Sequence, residues 1–357
     1  MIRLEPRPEP SRTFRWASPL LAVAATIAAG LLLFPAMGKS PLDAFHAFFV
    51  KPVDSLYGVG ELLLKASPLM LIATGLAAGY RANVWKIGAE GQLTMGAIAG
   101  GGVALALHGV ESPLVLPAML AAGVAGGMAW AAIPAWLRTR FNANEILTSL
   151  MLVYVATLTL SLLVHGAWRD PEGFNFPQSK LFTASALLPV LVETTRLNLG
   201  FPIALAVVAA GWVFLQKSFV GYQMRVAGLA PAAAHYAGIS APRTVWIGML
   251  IGGGCAGLAG VGEVAGPLGQ LQPSVSPGYG FAAIIVAFVG RLHPAGIVLA
   301  SLLMSLLYLG GESAQLNLAL PSSVTGLFQG TLLFFLLAAD VFIHYRVRRA
   351  RTVRSVA

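Results

Sequence analysis

Asn83, Glu90 and Gln92 are the side chains in this sequence best suited to chemistry, and all three fall in the stretch Asn83-Val84-Trp85-Lys86-Ile87-Gly88-Ala89-Glu90-Gly91-Gln92. An acid and two amides spaced by glycines can hydrogen-bond a polar solute, or they can satisfy the free backbone groups where a helix begins. Polar side chains and unwound backbone within a bilayer are tolerated only where they are buried in protein or line a water-filled cavity. The stretch is therefore a candidate path for a polar solute. The competing reading is a connecting loop in which Glu90 caps a helix or accepts backbone hydrogen bonds, because polar residues inside membranes are as often structural as ligating.

Three further groups admit a binding role. Asn142-Ala143-Asn144-Glu145 has the form of a helix start, with a side-chain oxygen for free N–H groups and negative charge in the first turn; Asn144 or Glu145 facing a cavity is the alternative. Gly278-Tyr279-Gly280-Phe281 follows Pro273 and Pro277, with Phe288 one to two turns on. Aromatic faces beside flexible backbone can stack on a planar base, whereas a tyrosine at this place also suits anchoring at the lipid interface. In Gly252-Gly253-Gly254-Cys255-Ala256-Gly257 the spacing matches a dinucleotide fingerprint, but the glycines continue through Gly260 and Gly262 in an apolar run. That fingerprint requires a strand and a tight turn; close helix packing explains the glycines instead.

Enzyme chemistry lacks its residues. The six histidines are scattered without ligand spacing, there is no H-E-x-x-H or G-x-S-x-G motif, and Cys255 is the single cysteine, so neither a metal site nor a disulfide framework is expected. Gly38-Lys39-Ser40 matches the end of a P-loop, but Leu33 stands where its first glycine belongs, so the chain is not expected to bind ATP or any other cofactor itself. A buried acid and histidine relay and an arginine-rich sensor helix are also missing, which argues against ion-coupled transport and voltage gating.

These groups must be positioned by elements that a bilayer dictates. Of 357 residues, 57% are hydrophobic and 10% charged, with 40 glycines and 22 prolines, a composition outside that of soluble domains and fitted to helices packed through small residues and locally broken. The reading is an all-α polytopic membrane bundle. At roughly 20 apolar residues per crossing, ten spans are predicted near residues 17–37, 58–79, 88–108, 113–136, 145–166, 199–215, 244–262, 278–290, 295–310 and 323–342. The eighth is short enough to be broken or tilted. Although the first follows a basic start, it lacks a small-residue cleavage site and is long enough to span.

With the N-terminus inside, 17 of the 23 lysines and arginines fall on the cytoplasmic side, the other six being Lys39, Lys51, Lys65, Arg169, Lys180 and Arg196. That asymmetry predicts that both termini are cytoplasmic. It also assigns the net charge of +9 to juxtamembrane clusters on lipid rather than to nucleic acid. The organisation expected is a cytoplasmic tail over 1–16, a transmembrane domain over 17–342 and a basic cytoplasmic tail over 343–357. Two loops are too long to be simple connections: an outer loop over 167–198 rich in turn residues, and an inner segment over 216–243. Within the latter, residues 221–238 are predicted to form two short helices at the cytoplasmic face, broken at Gly228 and Pro231.

Together these stretches resemble the permeases of the branched-chain amino acid, ribose and nucleoside class of ABC importers. The resemblance is closest to the longer permease of the nucleoside branch, whose members pair with a basic membrane lipoprotein. Asn83 to Gln92 resembles its N-I-G-A-E-G-Q signature, with Val84-Trp85-Lys86 a departure. Asn144-Glu145-Ile146-Leu147-Thr148-Ser149-Leu150-Met151-Leu152 resembles its N-E-(I/V)-x-T-x-L-M-L stretch, and Trp168-Arg169-Asp170-Pro171 with Pro177-Gln178-Ser179 its outer loop. Gly221-Tyr222-Gln223-Met224-Arg225-Val226-Ala227-Gly228, continued through Ala233 to Gly238, resembles the segment that docks on the ATPase.

The resemblance implies a bacterial inner-membrane translocation subunit, not itself an enzyme. Its implied partners are a second permease, an ATP-binding subunit of two fused nucleotide-binding domains that holds the ATP and magnesium, and an extracytoplasmic substrate-binding lipoprotein. Asn83, Glu90, Gln92, Asn144, Glu145, Tyr279 and Phe281 become candidates for the substrate pathway, and Gly221, Arg225, Gly228, Ala233 and Gly238 for coupling to the ATPase. A simple-sugar or branched-chain amino acid permease is the alternative within transport, since a fold does not fix a substrate. Outside it stand a membrane scaffold and an ion-coupled carrier.

Overall fold

The computed structural model describes residues 2–7 and 11–349; residues 350–357 of the basic tail lie outside the described residues. In chain order the elements are β1 (Ile2–Pro6), α1 (Arg12–Ala36), α2 (Pro41–Phe45), α3 (Leu56–Arg81), α4 (Ala89–Ala106), α5 (Val115–Phe141), α6 (Glu145–His165) and α7 (Gly200–Lys217). They continue with α8 (Phe219–Leu229), α9 (Pro231–Tyr236), α10 (Ala241–Glu263), α11 (Tyr279–Val289), α12 (Pro294–Leu318), α13 (Ser323–His344) and β2 (Tyr345–Arg349). Every one of the ten segments read as a span contains a helix. Among the described residues seven helices are long and apolar enough to cross a membrane. These lie in α1, α3, α5, α6, α7, α10 with the turn that follows it, and α12. α11 and part of α13 are apolar but shorter, and α4 carries Glu90 and Gln92 in its first turn.

Local signals account for the helix starts. Ser55, Asn144, Ser218 and Ser240 each turn a side-chain oxygen to a free N–H in the first turn of α3, α6, α8 and α10, satisfying donors that have no intrahelical partner. Asn142 closes α5 in a left-handed conformation at φ 53°, which asparagine tolerates better than most residues.

Two compact units make up the chain, residues 1–52 with 306–357 and residues 53–305. In the first, α1 packs on α13, and Phe34, Ala44, Phe48, Ala314, Leu320 and Val324 form a buried cluster. Here one expectation is corrected: the chain is not purely helical, because β1 and β2 pair antiparallel with Ile2 opposite Arg349 and Pro6 opposite Tyr345. β1 alternates apolar and charged residues, and so does β2 over residues 345–348, the period of a strand, and Glu5 meets Arg346 at 3.3 Å. The pairing joins residues more than 300 apart in sequence, so neither strand is legible from its own neighbours.

The second unit is built around α3 and α10, which are mostly buried, while most residues of α5, α6 and α7 are half-buried or exposed. α10 packs against α3, α4 and α5, and its glycines make this possible. A Cβ on Gly75 of α3 would lie 2.9 Å from the Cα of Gly252, and one on Gly127 of α5 would lie 2.8 Å from the Cα of Gly257. Backbone therefore meets backbone, the small-residue packing that membrane helices use where apolar burial gives no advantage over lipid. Past Glu263, α10 continues into a π-helical turn, Val264–Leu268, containing Pro267. The outer loop lies along that end: Leu188 N–H donates to Ala265 O at 2.7 Å, Phe182 N–H to Gly269 O at 2.8 Å, and Ser179 N–H to Leu271 O at 2.8 Å.

Candidate functional site

α3 ends at Arg81 and α4 begins at Ala89; the seven residues between them are extended or turned. This break is fixed at nearly every residue. Asn83 is left-handed at φ 56°, which turns the chain back so that Val84 N–H donates to Gly79 O at 3.0 Å. The Tyr80 hydroxyl donates to Lys86 O at 3.1 Å. Ile87 and Gly88 both donate to the Ser149 hydroxyl of α6, at 3.3 and 3.2 Å. Trp85 N–H donates to Glu145 Oε1 at 3.4 Å, and Arg138 holds the same carboxylate.

Lys86 is 1% exposed. Its Nζ donates to Gln92 Oε1 at 2.5 Å, and its alkyl stem fills the space left open by Gly252, where a Cβ would lie 2.5 Å from Cε. One long polar side chain thus ties the break to the first turn of α4 and to the glycine face of α10.

Glu90 lies in the first turn of α4 and is 8% exposed. Its Oε2 accepts Gly280 N–H at 2.6 Å, and it also takes hydrogen bonds from Gly278 N–H and the Ser276 hydroxyl. That hydroxyl in turn accepts from Gly278 and Tyr279 N–H, at 3.1 and 2.9 Å. The carboxylate therefore sits at the positive ends of two helices, α4 and α11, where negative charge is favoured. The two backbones nearly touch: a Cβ on Gly280 would lie 2.5 Å from the Cα of Glu90. Gly278, at φ 95°, is in a region that side chains rarely enter.

The structure divides the predicted pathway residues into two groups. Glu90 and Gln92 are buried, with Tyr279 buried beside Gly280 at 4% exposure. Asn83 and Glu145 sit together around Trp85, and Asn144 caps α6 through Ile146 and Leu147 N–H at 2.9 and 3.3 Å. Phe281 is 40% exposed, on neither group's hydrogen bonds. Sequence reasoning gave no role to Lys86, Ser149, Ser276, Tyr80 or Trp85, and it offered Phe288 as a stacking face beside Tyr279 and Phe281 rather than with Tyr80 and Trp85. The signal available was the oddity of Trp85-Lys86 within an otherwise glycine-rich polar stretch.

The inner segment forms two helices, α8 and α9, with the break at Ala230, so that Gly228 lies inside α8 and Pro231 opens α9. The residues proposed for coupling occupy different surroundings. Gly221 is buried, and a Cβ there would lie 2.8 Å from the Cα of Leu215 in α7. Gly228 packs on the end of α3, where a Cβ would lie 3.0 Å from the carbonyl carbon of Arg81. Arg225 reaches Gln216 Oε1 at 3.4 Å. Ala233 and Gly238 are exposed, and so are two large apolar side chains, Leu229 at 86% and Tyr236 at 96%. α8 thus presents its glycines to α3 and α7, while Leu229 and α9 face outward.

On the outer loop, Arg196 makes a two-pronged pair with Glu61 of α3, Nε to Oε1 at 2.8 Å and Nη2 to Oε2 at 2.6 Å. These hydrogen bonds push the guanidinium further up from its already high range, as expected of a charge-assisted, two-pronged pair.

Residues 58–337 match the family described as branched-chain amino acid transport system, permease component. The chain is 35% identical to the glucose ABC transporter permease protein of Haloferax volcanii, over 97% of this chain and 93% of that one. It is 30% identical to the guanosine ABC transporter permease protein of Bacillus subtilis, over 89% and 91%. A nucleoside ABC transporter permease protein of Lactococcus lactis is 27% identical over 97% and 96%. No solved structure matches.

Proposed function

The chain belongs to the family of branched-chain amino acid transport system permease components, and on that premise we propose that it is the translocation subunit of an ATP-driven importer of nucleosides in a bacterial inner membrane. In this reading all ten helices of span position cross, α4 and α11 as parts of broken crossings, and both termini are cytoplasmic. The partners are an ATP-binding subunit of two fused nucleotide-binding domains, a second permease and a substrate-binding lipoprotein. ATP and magnesium belong to the ATP-binding subunit.

The observation that carries the transport reading is the meeting of the first turns of α4 and α11 at Glu90. Broken helices whose ends converge inside a bundle are how transporters place polar groups at membrane depth. Glu90, Gln92 and Tyr279 shape that place, while Asn83, Asn144, Glu145 and Phe281 line other stretches of the pathway. Coupling runs from α9, through Gly228 on the end of α3, to the break that follows Arg81; Gly221, Arg225, Ala233 and Gly238 set the shape and charge of this lever. Two relatives named for nucleoside or guanosine transport align over most of this chain and support the substrate class. The 35% identity to a glucose permease favours a second reading, a simple-sugar permease of the same design.

The test is uptake into proteoliposomes containing the chain with its ATPase, sister permease and receptor. ATP-dependent entry of labelled guanosine that unlabelled glucose does not compete away is expected; ATP-dependent entry of glucose alone would establish the sugar reading.

A further inference from the structure

We infer that Trp85 is a stacking platform for the planar base of a solute in transit, which names the binding chemistry of one mouth of the pathway and rests on the nucleoside reading. Trp85 is 40% exposed, while its neighbours Val84 and Lys86 are each 1% exposed. The indole is thus the one large group that the break turns outward. Its orientation is fixed from three directions. Tyr80 and Phe288 lie nearly parallel to it, with ring centroids 5.0 and 5.9 Å away and interplanar angles of 27° and 17°. Tyr80 and Phe288 also stack on each other, at 5.4 Å. The backbone N–H is held by Glu145, itself paired with Arg138.

The hydrogen bond at the indole nitrogen separates this role from lipid anchoring. A tryptophan at a membrane interface offers its Nε1–H to headgroups and water. Here Nε1 donates to Asn83 Oδ1 at 2.6 Å, so the polar edge is already occupied by a side chain of this chain and the exposed part of the indole is apolar ring. Asn83 is exposed and gives its oxygen to the indole, which leaves its amide nitrogen as a donor for a ring nitrogen, a carbonyl or a hydroxyl. The rim of Asn83, Arg138 and Glu145 is polar, unlike a lipid contact. A preorganised aromatic face with an adjacent amide donor is the chemistry that recognises a heteroaromatic base, since every base offers a π face.

The test uses the complete transporter in detergent or nanodiscs, with guanosine as probe and glucose as control. Wild type should show quenching of tryptophan emission by guanosine, and the share owed to this residue should vanish in Trp85→Phe. In uptake, Trp85→Leu should raise the half-saturation concentration for guanosine about fivefold or more, the lower end expected for loss of one base stack, while Trp85→Phe, which keeps a ring, should change it by about twofold or less. Guanosine uptake with no quenching specific to Trp85 would overturn the inference and leave the nucleoside reading standing. Quenching specific to Trp85 in a complex that carries glucose and no guanosine would overturn the nucleoside reading and keep the stacking. Equal uptake loss in the Leu and Phe variants would reduce Trp85 to a structural residue and overturn the inference.

Discussion

The break between α3 and α4 and the paired helices α8 and α9 are both polar interruptions in an apolar chain, and their side chains have opposite fates. At the break and the first turn of α4, Val84, Lys86, Glu90 and Gln92 are buried, Lys86 bonded to Gln92 and Glu90 to the start of α11, and only Asn83 and Trp85 are exposed. In the inner pair, Leu229, Tyr236 and most of α9 are exposed and touch little of this chain. A buried polar network with every member satisfied specifies one geometry, and it is costly to disturb. An exposed pair of short helices with large apolar side chains costs little to alter and is suited to a partner. The contrast fits the proposed roles, with the buried side chains of the break as architecture and the exposed pair as a docking surface.

Substitutions on the two sides of this contrast differ in the stability loss they should cause. Gly280→Leu would drive a side chain into the backbone of Glu90 and separate α4 from α11; a loss of about 3 kcal/mol or more is expected, the upper range for overpacking, read as failure to recover monodisperse protein from membranes. Glu90→Leu leaves Gly280 N–H and the Ser276 hydroxyl without the carboxylate that accepts from them, while Gly278 N–H keeps Ser276 Oγ. The expected cost is about 3 kcal/mol, against about 1 kcal/mol for Glu90→Gln, which keeps one carbonyl oxygen. Thermal unfolding of the purified protein would resolve the difference, and equal melting temperatures would contradict the capping role.

Lys86→Met strands Gln92 Oε1 and should cost about 1 kcal/mol, while adding Gln92→Met should return stability to within about 0.5 kcal/mol of wild type, since removing both partners is gentler than removing one. No recovery in the double variant would mean that Lys86 acts through something other than Gln92. At the low end, Leu229→Ala and Tyr236→Ala should each change stability by less than about 0.5 kcal/mol, the range for exposed positions.

Much of the architecture was legible in the sequence because a bilayer imposes length and apolarity one segment at a time. Ten apolar runs marked ten helices, and alanine-rich composition with a proline marked α8 and α9. The residues of the break were legible as polar, not as buried: the place of Lys86 depends on the absent side chain of Gly252, 166 residues away. Tyr279 read equally as a lipid anchor or a stacking face, and only the approach of Gly280 to Glu90 put it inside. The glycines proposed for coupling were singled out by resemblance, yet the exposed side chains beside them, Leu229 and Tyr236, carry no local signal that separates a docking residue from a lipid-facing one. The pairing of β1 with β2 depends on residues at opposite ends of the chain and was missed for the same reason.

The assignment of docking to the inner helices is tested most directly by ATP-dependent uptake in the complete transporter carrying Leu229→Ala with Tyr236→Ala, its melting temperature measured on the same preparation. An unchanged melting temperature with uptake reduced at least about tenfold, the loss expected from truncating two interface anchors, is the predicted result. Full uptake at an unchanged melting temperature would contradict it and move the coupling contact elsewhere on the chain.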